Sequence, residues 1–239
     1  MDGLSELERL LVGLGADQMV AFGPERIPVH RELAGALTRL REAAAEEGFA
    51  LELASGFRGF ERQCAIWNMK ARGERPLLDA AERPLDASAL SPEERVFAIL
   101  RWSALPGASR HHWGTDVDVF DRSALPPGES PQLRRDETTP GAVFGRFHQW
   151  LDENLHRFGF FRPYDRDRGG VSPEPWHLSH APLASTFQGA LTLELVERVI
   201  VESPLELKDV VLVNLEEIFR RYVLNVGSPP PGDGHTRIG

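Results

Sequence analysis

Two short segments of this chain carry side chains able to hold a metal ion and move a proton. Ser109-Arg110-His111-His112-Trp113-Gly114-Thr115-Asp116-Val117-Asp118 places an imidazole and a carboxylate seven positions apart, at His111 and Asp118. Glu174-Pro175-Trp176-His177 adds a second imidazole, with a carboxylate three residues before it. Two His nitrogens and one Asp oxygen form a hard-to-borderline ligand set that suits Zn²⁺ and leaves a fourth position open for water. Glu174 is then free of ligand duty and can serve as the base that deprotonates that water. No other His, Cys or acid cluster has comparable spacing, so one Zn²⁺ per chain, on His111, Asp118 and His177, is the expected cofactor.

These residues need rigid elements beneath them. Residues 115–120 alternate as a strand, with Asp116 and Asp118 on one face and Val117 and Val119 on the other. Residues 174–179 read as a further strand. Strand parity turns His180 away from His177, and His112 follows His111 directly, so both are expected in supporting roles. Upstream, residues 30–47 form an amphipathic helix pattern stopped by Gly48, and the strand at 49–54 delivers Arg58 into a loop. A helix over 61–73 places Gln63 in its first turn. Ser91-Pro92-Glu93-Glu94 is a capped start for a helix running to about residue 102. Residues 72–90 and 121–140 read as loops, 142–158 as a helix, and 159–162 as extended chain. One or two helices fill 191–225, broken near Ser203-Pro204, and 227–239 is a Pro- and Gly-rich disordered tail. The pattern is α+β, with a small, largely antiparallel sheet flanked by helices.

Three blocks together resemble the LAS metallopeptidases, the group named for lysostaphin, D-Ala-D-Ala metallopeptidases and sonic hedgehog. They are Ser-x-His-x-x-Gly-x-x-x-Asp from Ser109, Glu-x-Trp-His from Glu174, and Ser55-Gly56-Phe57-Arg58 with Gln63 five residues after the Arg. Within the group the likeness is to D-alanyl-D-alanine carboxypeptidases and dipeptidases of the vancomycin-resistance type. The resemblance implies a zinc site on a small sheet, ligated by His111, Asp118 and His177, with Glu174 as the base. It implies for Arg58 an oxyanion-stabilising or substrate-binding role, which suits a fixed guanidinium. The implied substrate is a peptide ending in D-amino acids. Ser109 and Gln63 are candidate hydrogen-bond partners for it, and Arg162, in the cationic run 161–170, is a candidate for its free carboxylate. One position departs from the group: Asp116 stands where many of these carboxypeptidases have Ala. It is expected either to orient a ligand His or to contact a substrate amine. An amine contact would favour a peptidoglycan endopeptidase. A non-catalytic zinc module is the third reading, and Glu174 with Arg58 argues against it.

Composition bounds the rest. At 239 residues and 41% hydrophobic the chain can bury one full core, so a single domain is expected over 1–226, with its motif core at 49–182. No apolar run is long enough to span a membrane. The acidic start lacks a signal-peptide pattern, which reads as cytoplasmic, or wall-facing if the native start lies upstream. The lone Cys64 excludes an internal disulfide framework. A formal charge of −9 argues against nucleic acid as a partner.

Overall fold

The computed structural model describes residue 1 and residues 3–229. Its elements, in chain order, begin with α1 (Glu6–Leu11), β1 (Met19–Phe22), β2 (Ile27–His30), α2 (Leu33–Glu46), β3 (Leu51–Ser55) and α3 (Phe60–Ala71). There follow β4 (Leu77–Leu78), β5 (Pro84–Leu85), α4 (Pro92–Leu100), β6 (Asp116–Asp121), α5 (Gly145–Asn154) and β7 (Phe160–Phe161). The chain then runs through β8 (His177–His180), α6 (Ala181–Ala190), α7 (Leu193–Glu202), α8 (Lys208–Val213) and α9 (Leu215–Ile218). The architecture is α+β, and the strand pairings are antiparallel.

A four-stranded sheet in the order β3-β6-β8-β7 carries the site. Along β6 the side chains alternate as the sequence predicts. Val117 and Val119, with Leu178 of β8, enter a core shared with Leu33, Leu37 and Leu40 of α2 and Phe147 and Leu151 of α5. Asp116 and Asp118 take the opposite face, and across the ladder Asp118 pairs with His177 and Asp116 with Ser179. A slip of one residue would expel two valines, each worth ~1.5–3 kcal/mol when buried, and drive two aspartates into hydrocarbon. Burial thus fixes the register that brings Asp118 beside His177. A second core joins α1, α3, α4 and α6 to α9, with Trp67 and Trp113 fully enclosed.

Several boundaries differ from the sequence expectation. The helix expected from residue 30 starts at Leu33, because Ile27-Pro28-Val29-His30 pairs with β1 as a hairpin. Pro28 and its β-branched neighbours favour extended chain there. The hairpin supports the site loop: Phe57 N–H donates to the Pro28 carbonyl at 2.7 Å. The loop expected at 72–90 contains the small β4–β5 ladder. The helix expected over 142–158 is α only to Asn154 and closes as a 3₁₀ turn ending at Phe158. The strand expected from 174 begins at His177, and Glu174 stands in a turn closed by His177 N–H donating to the Glu174 carbonyl at 3.1 Å. α4 begins as expected, with Ser91 and Glu94 forming a reciprocal capping box. The break at Ser203-Pro204 follows α7. Of the tail at 227–239, residues 230–239 lie outside the described residues. Among the described residues no helix is long and apolar enough to cross a membrane.

Candidate active site

His111 leaves a 3₁₀ turn (Arg110–Trp113) that ends at Gly114 in the left-handed region, with φ 66°. A Cβ at Gly114 would lie 2.5 Å from the Met19 sulfur, so both backbone conformation and space call for glycine. The turn aims His111 Nε2 at Asp118, 3.4 Å from its Oδ2, while His177 Nδ1 lies 3.3 Å from Asp118 Oδ1. One donor atom from each residue falls within 4.8 Å of the others, and all three residues are buried. Two donors ~2.0–2.1 Å from a tetrahedral ion sit ~3.3 Å apart, so these spacings suit a small divalent cation. Asp118 Oδ1 and His177 Nδ1 are buried without a hydrogen-bond partner. Leaving such atoms unpaired is costly, and a bound cation would satisfy both.

The far nitrogen of each ring is tied down. His111 Nδ1 lies 2.9 Å from the Gly56 carbonyl, and His177 Nε2 lies 3.0 Å from Asp116 Oδ1. In the neutral ring, each acceptor sets a tautomer that leaves the cluster-facing nitrogen unprotonated. Gly56 is demanded by close approach, since a Cβ there would meet the Pro28 carbonyl at 2.5 Å. Burial pushes the His111 pKa down to about 3, which keeps the ring neutral. Burial also opposes charge on His177, but the Asp116 hydrogen bond and the nearby carboxylates of Asp118 and Glu174 outweigh it and carry this pKa well above the ordinary value.

Asp116 is wholly enclosed. Its Oδ1 accepts from Arg110 Nε at 2.7 Å as well as from His177, and its Oδ2 accepts from the Thr115 hydroxyl at 2.8 Å. Burial would raise its pKa, yet the Arg110 charge and the His177 hydrogen bond hold the carboxyl below the usual range. Arg110 completes its fork on Gln188 Oε1 at 2.6 Å and Ser179 Oγ at 2.7 Å, with its guanidinium over the Trp113 ring. Asp116 thus has no open side for a substrate amine, and it orients His177 instead.

Glu174 Oε2 stands 3.5 Å from His177 Nδ1, and Glu174 lines a cavity of about 270 Å³ with Arg58, Ser109, His111, Asp118 and His177. Trp176, also on this wall, is buried. Arg58 donates to Gln63 Oε1 at 3.0 Å and to Ser55 Oγ at 3.2 Å. Its carbonyl meets His112 Nδ1 at 2.6 Å, so the fully buried His112 braces the Arg58 loop. His180 faces elsewhere and packs on Phe160.

The residues expected to touch substrate divide. Ser109 lines the cavity, but Gln63 is buried behind Arg58 and donates to the Ala104 carbonyl at 2.7 Å. Arg162 is engaged elsewhere: it donates to the Pro175 carbonyl at 2.6 Å and pairs with Asp152. Gln63 and Arg162 therefore position the Arg58 loop and the Glu174 turn. Sequence reasoning missed Arg110, Lys70 and Tyr164, which also line the cavity. Tyr164 packs edge-on against His177, with ring centroids 5.0 Å apart, and burial raises its pKa to about 12. For Lys70 a signal existed: it follows Gln63 and Trp67 at helical spacing, on a stripe where a solvated Lys is out of place.

The sheet thus commits one face to packing and the other to a buried His-Asp-His cluster. The chain belongs to the VanY family of D-alanyl-D-alanine carboxypeptidases, whose profile matches residues 26–183. All three motif blocks fall inside that span. An uncharacterized protein of Haemophilus influenzae is 36% identical over 122 residues, covering 50% of this chain and 93% of that protein. A D-alanyl-D-alanine carboxypeptidase of Enterococcus faecalis is 32% identical over 144 residues, 59% of this chain but 44% of that protein's length. Among solved structures, VanYB in complex with D-alanine-D-alanine aligns with a TM-score of 0.50 and 25% identity, covering 78% of this chain and 91% of that one. The LdcB LD-carboxypeptidase shares the fold, with a TM-score of 0.52 and 23% identity over 83% of this chain and 92% of its own.

Proposed function

We propose that this chain is a zinc-dependent D,D-carboxypeptidase that removes the last residue from peptidoglycan-type peptides ending in D-Ala-D-Ala. The carrying observation is the pair of buried, partnerless donor atoms, Asp118 Oδ1 and His177 Nδ1, in a cavity shared with a carboxylate and a guanidinium. Two His nitrogens and one carboxylate oxygen favour zinc among the common divalent ions. Zinc, when bound there, supplies a Lewis acid that polarises a carbonyl and acidifies water.

The chain's own residues do the rest. Glu174 takes a proton from the attacking water as the new C–O bond forms at the scissile carbonyl carbon. Arg58, held by Ser55 and Gln63, donates to the oxygen that gains negative charge there. Glu174 then passes its proton to the leaving nitrogen as the C–N bond breaks, releasing D-Ala as the free amine. With Asp116 enclosed, the amine contact that would have favoured internal cleavage has no place to form. A module that only binds metal would have no use for Glu174 and Arg58 at the same cavity.

A defined peptide ending in D-Ala-D-Ala should lose one D-Ala per molecule. The activity should vanish with a chelator and return with zinc at a stoichiometry near one. His177→Ala and Asp118→Ala should fail to hold the metal. Activity indifferent to chelation, or products cut away from the C-terminus, would overturn the proposal. Arg58→Lys should lower kcat/KM by about 10-fold or more, given that losing an oxyanion donor outright costs ~10²–10³. Near-normal kinetics with intact zinc would remove Arg58 from the chemistry.

A further inference from the structure

A carboxypeptidase has to recognise a free C-terminal carboxylate, and the cations expected to do so from sequence are occupied or lie outside the cavity. Arg162 is bound to Asp152 and the Pro175 carbonyl, Arg168 to Asp165 at 2.7 Å, and Arg166 is exposed outside the cavity lining. Of the cavity-lining cations, Arg110 is neutralised by Asp116, and Arg58 faces Asp118 and Glu174 across the reacting centre. Lys70 is left. It projects from the last turn of α3, lines the cavity beside Leu78, Trp102 and Ser103, and donates to Ser103 Oγ at 2.7 Å. Among the described residues it has no ion-pair partner.

We propose that Lys70, steadied by Ser103, is the specificity residue that receives the free carboxylate of the substrate's C-terminal residue. This rests on the carboxypeptidase reading above. A half-buried ammonium held only by a neutral hydroxyl is under-compensated, and an incoming carboxylate supplies the missing charge-assisted hydrogen bond. Its position suits this role, because Lys70 lines the same cavity as His111, Asp118, Glu174 and His177. Burial lowers the Lys70 pKa to about 8, with Glu174 raising it and Arg75 and Arg58 lowering it. Its charge is therefore present at neutral pH and lost as pH rises through that value.

The test compares a peptide ending in D-Ala-D-Ala with the same peptide amidated at its C-terminus. It uses the zinc-loaded full chain and the variants Lys70→Gln and Lys70→Arg. Wild type should prefer the acid. Lys70→Gln should lose roughly 10- to 100-fold in kcat/KM on the acid, mainly through KM, and little on the amide. Lys70→Arg should recover part of the loss. The wild-type acid/amide preference should decline above pH ~8, and this decline should be absent in Lys70→Arg. If Lys70→Gln folds, holds zinc and keeps the wild-type preference for the acid, the carboxypeptidase reading stands and the Lys70 assignment fails. If wild type cuts acid and amide equally, the carboxypeptidase reading falls and the Lys70 assignment with it.

Discussion

Glu174→Ala should keep a full complement of metal while losing activity by ~10²-fold or more, the scale at which a positioned base contributes. The two readouts separate because of where the side chain sits. Its Oε2 approaches His177 Nδ1 at 3.5 Å, but the His-Asp-His cluster closes without it. The carboxylate is 16% exposed, open to the cavity where a water and a peptide carbonyl must meet. Its backbone is fixed on both sides: Glu174 N–H donates to the Tyr164 carbonyl at 3.0 Å, and the following turn is clamped by Arg162 on the Pro175 carbonyl. Removing the side chain should leave that frame and the ligand atoms in place. Glu174→Gln, which keeps the volume and loses the basicity, should be nearly as inactive. Loss of metal in either variant would make Glu174 a ligand, and full activity would exclude it as the base.

The grouping of His111, Asp118 and His177 was legible in the sequence because each motif block is local in pattern. Strand parity puts Asp116 and Asp118 on one face, and the register against β8 follows from burying Val117, Val119 and Leu178 on the other. The capped start of α4 and the break at Ser203-Pro204 were legible for the same reason, since caps and prolines act within a turn. What could not be read depended on tertiary competition for cations. Arg162 sits near the Glu174 turn in sequence, but Asp152 on α5 and the Pro175 carbonyl claim its guanidinium. Lys70 belongs to α3 and meets Ser103 only once the chain after α4 has folded back over it. Gln63 reads from the sequence as a substrate contact but lies behind Arg58, because the first turn of α3 is sealed beneath residues near Ala104. The helical stripe of Gln63, Trp67 and Lys70 marks Lys70 as partly covered, but no local signal tells a covered cation that serves the fold from one left for a ligand.

Asp116 offers the sharpest test of that distinction, because it holds both His177 of the site and the buried Arg110. Asp116→Ala would strand Arg110, only 5% exposed, among Trp113, Phe161, Gln188 and Ser179 with no countercharge. Removing one partner of a buried pair costs ~3–5 kcal/mol, which for a domain of this size is a fall in Tm of about 6–20 °C. The same change takes the acceptor from His177 Nε2, and loss of such a partner typically weakens metal affinity by about 10–100-fold. Asp116→Asn separates the two effects. Its amide oxygen can still accept from His177, so zinc affinity should stay nearer wild type, while the charge on Arg110 remains uncompensated and Tm still falls. The double variant Arg110→Met/Asp116→Ala removes the stranded cation and should recover most of the lost Tm, but not the affinity, because His177 still lacks its acceptor. Thermal melts of the metal-free proteins and competitive zinc titrations would read the two quantities independently. Equal stability of Asp116→Ala and wild type would show that Arg110 finds other compensation. Unchanged zinc affinity would show that His177 is oriented by its packing against Tyr164 and His111 alone.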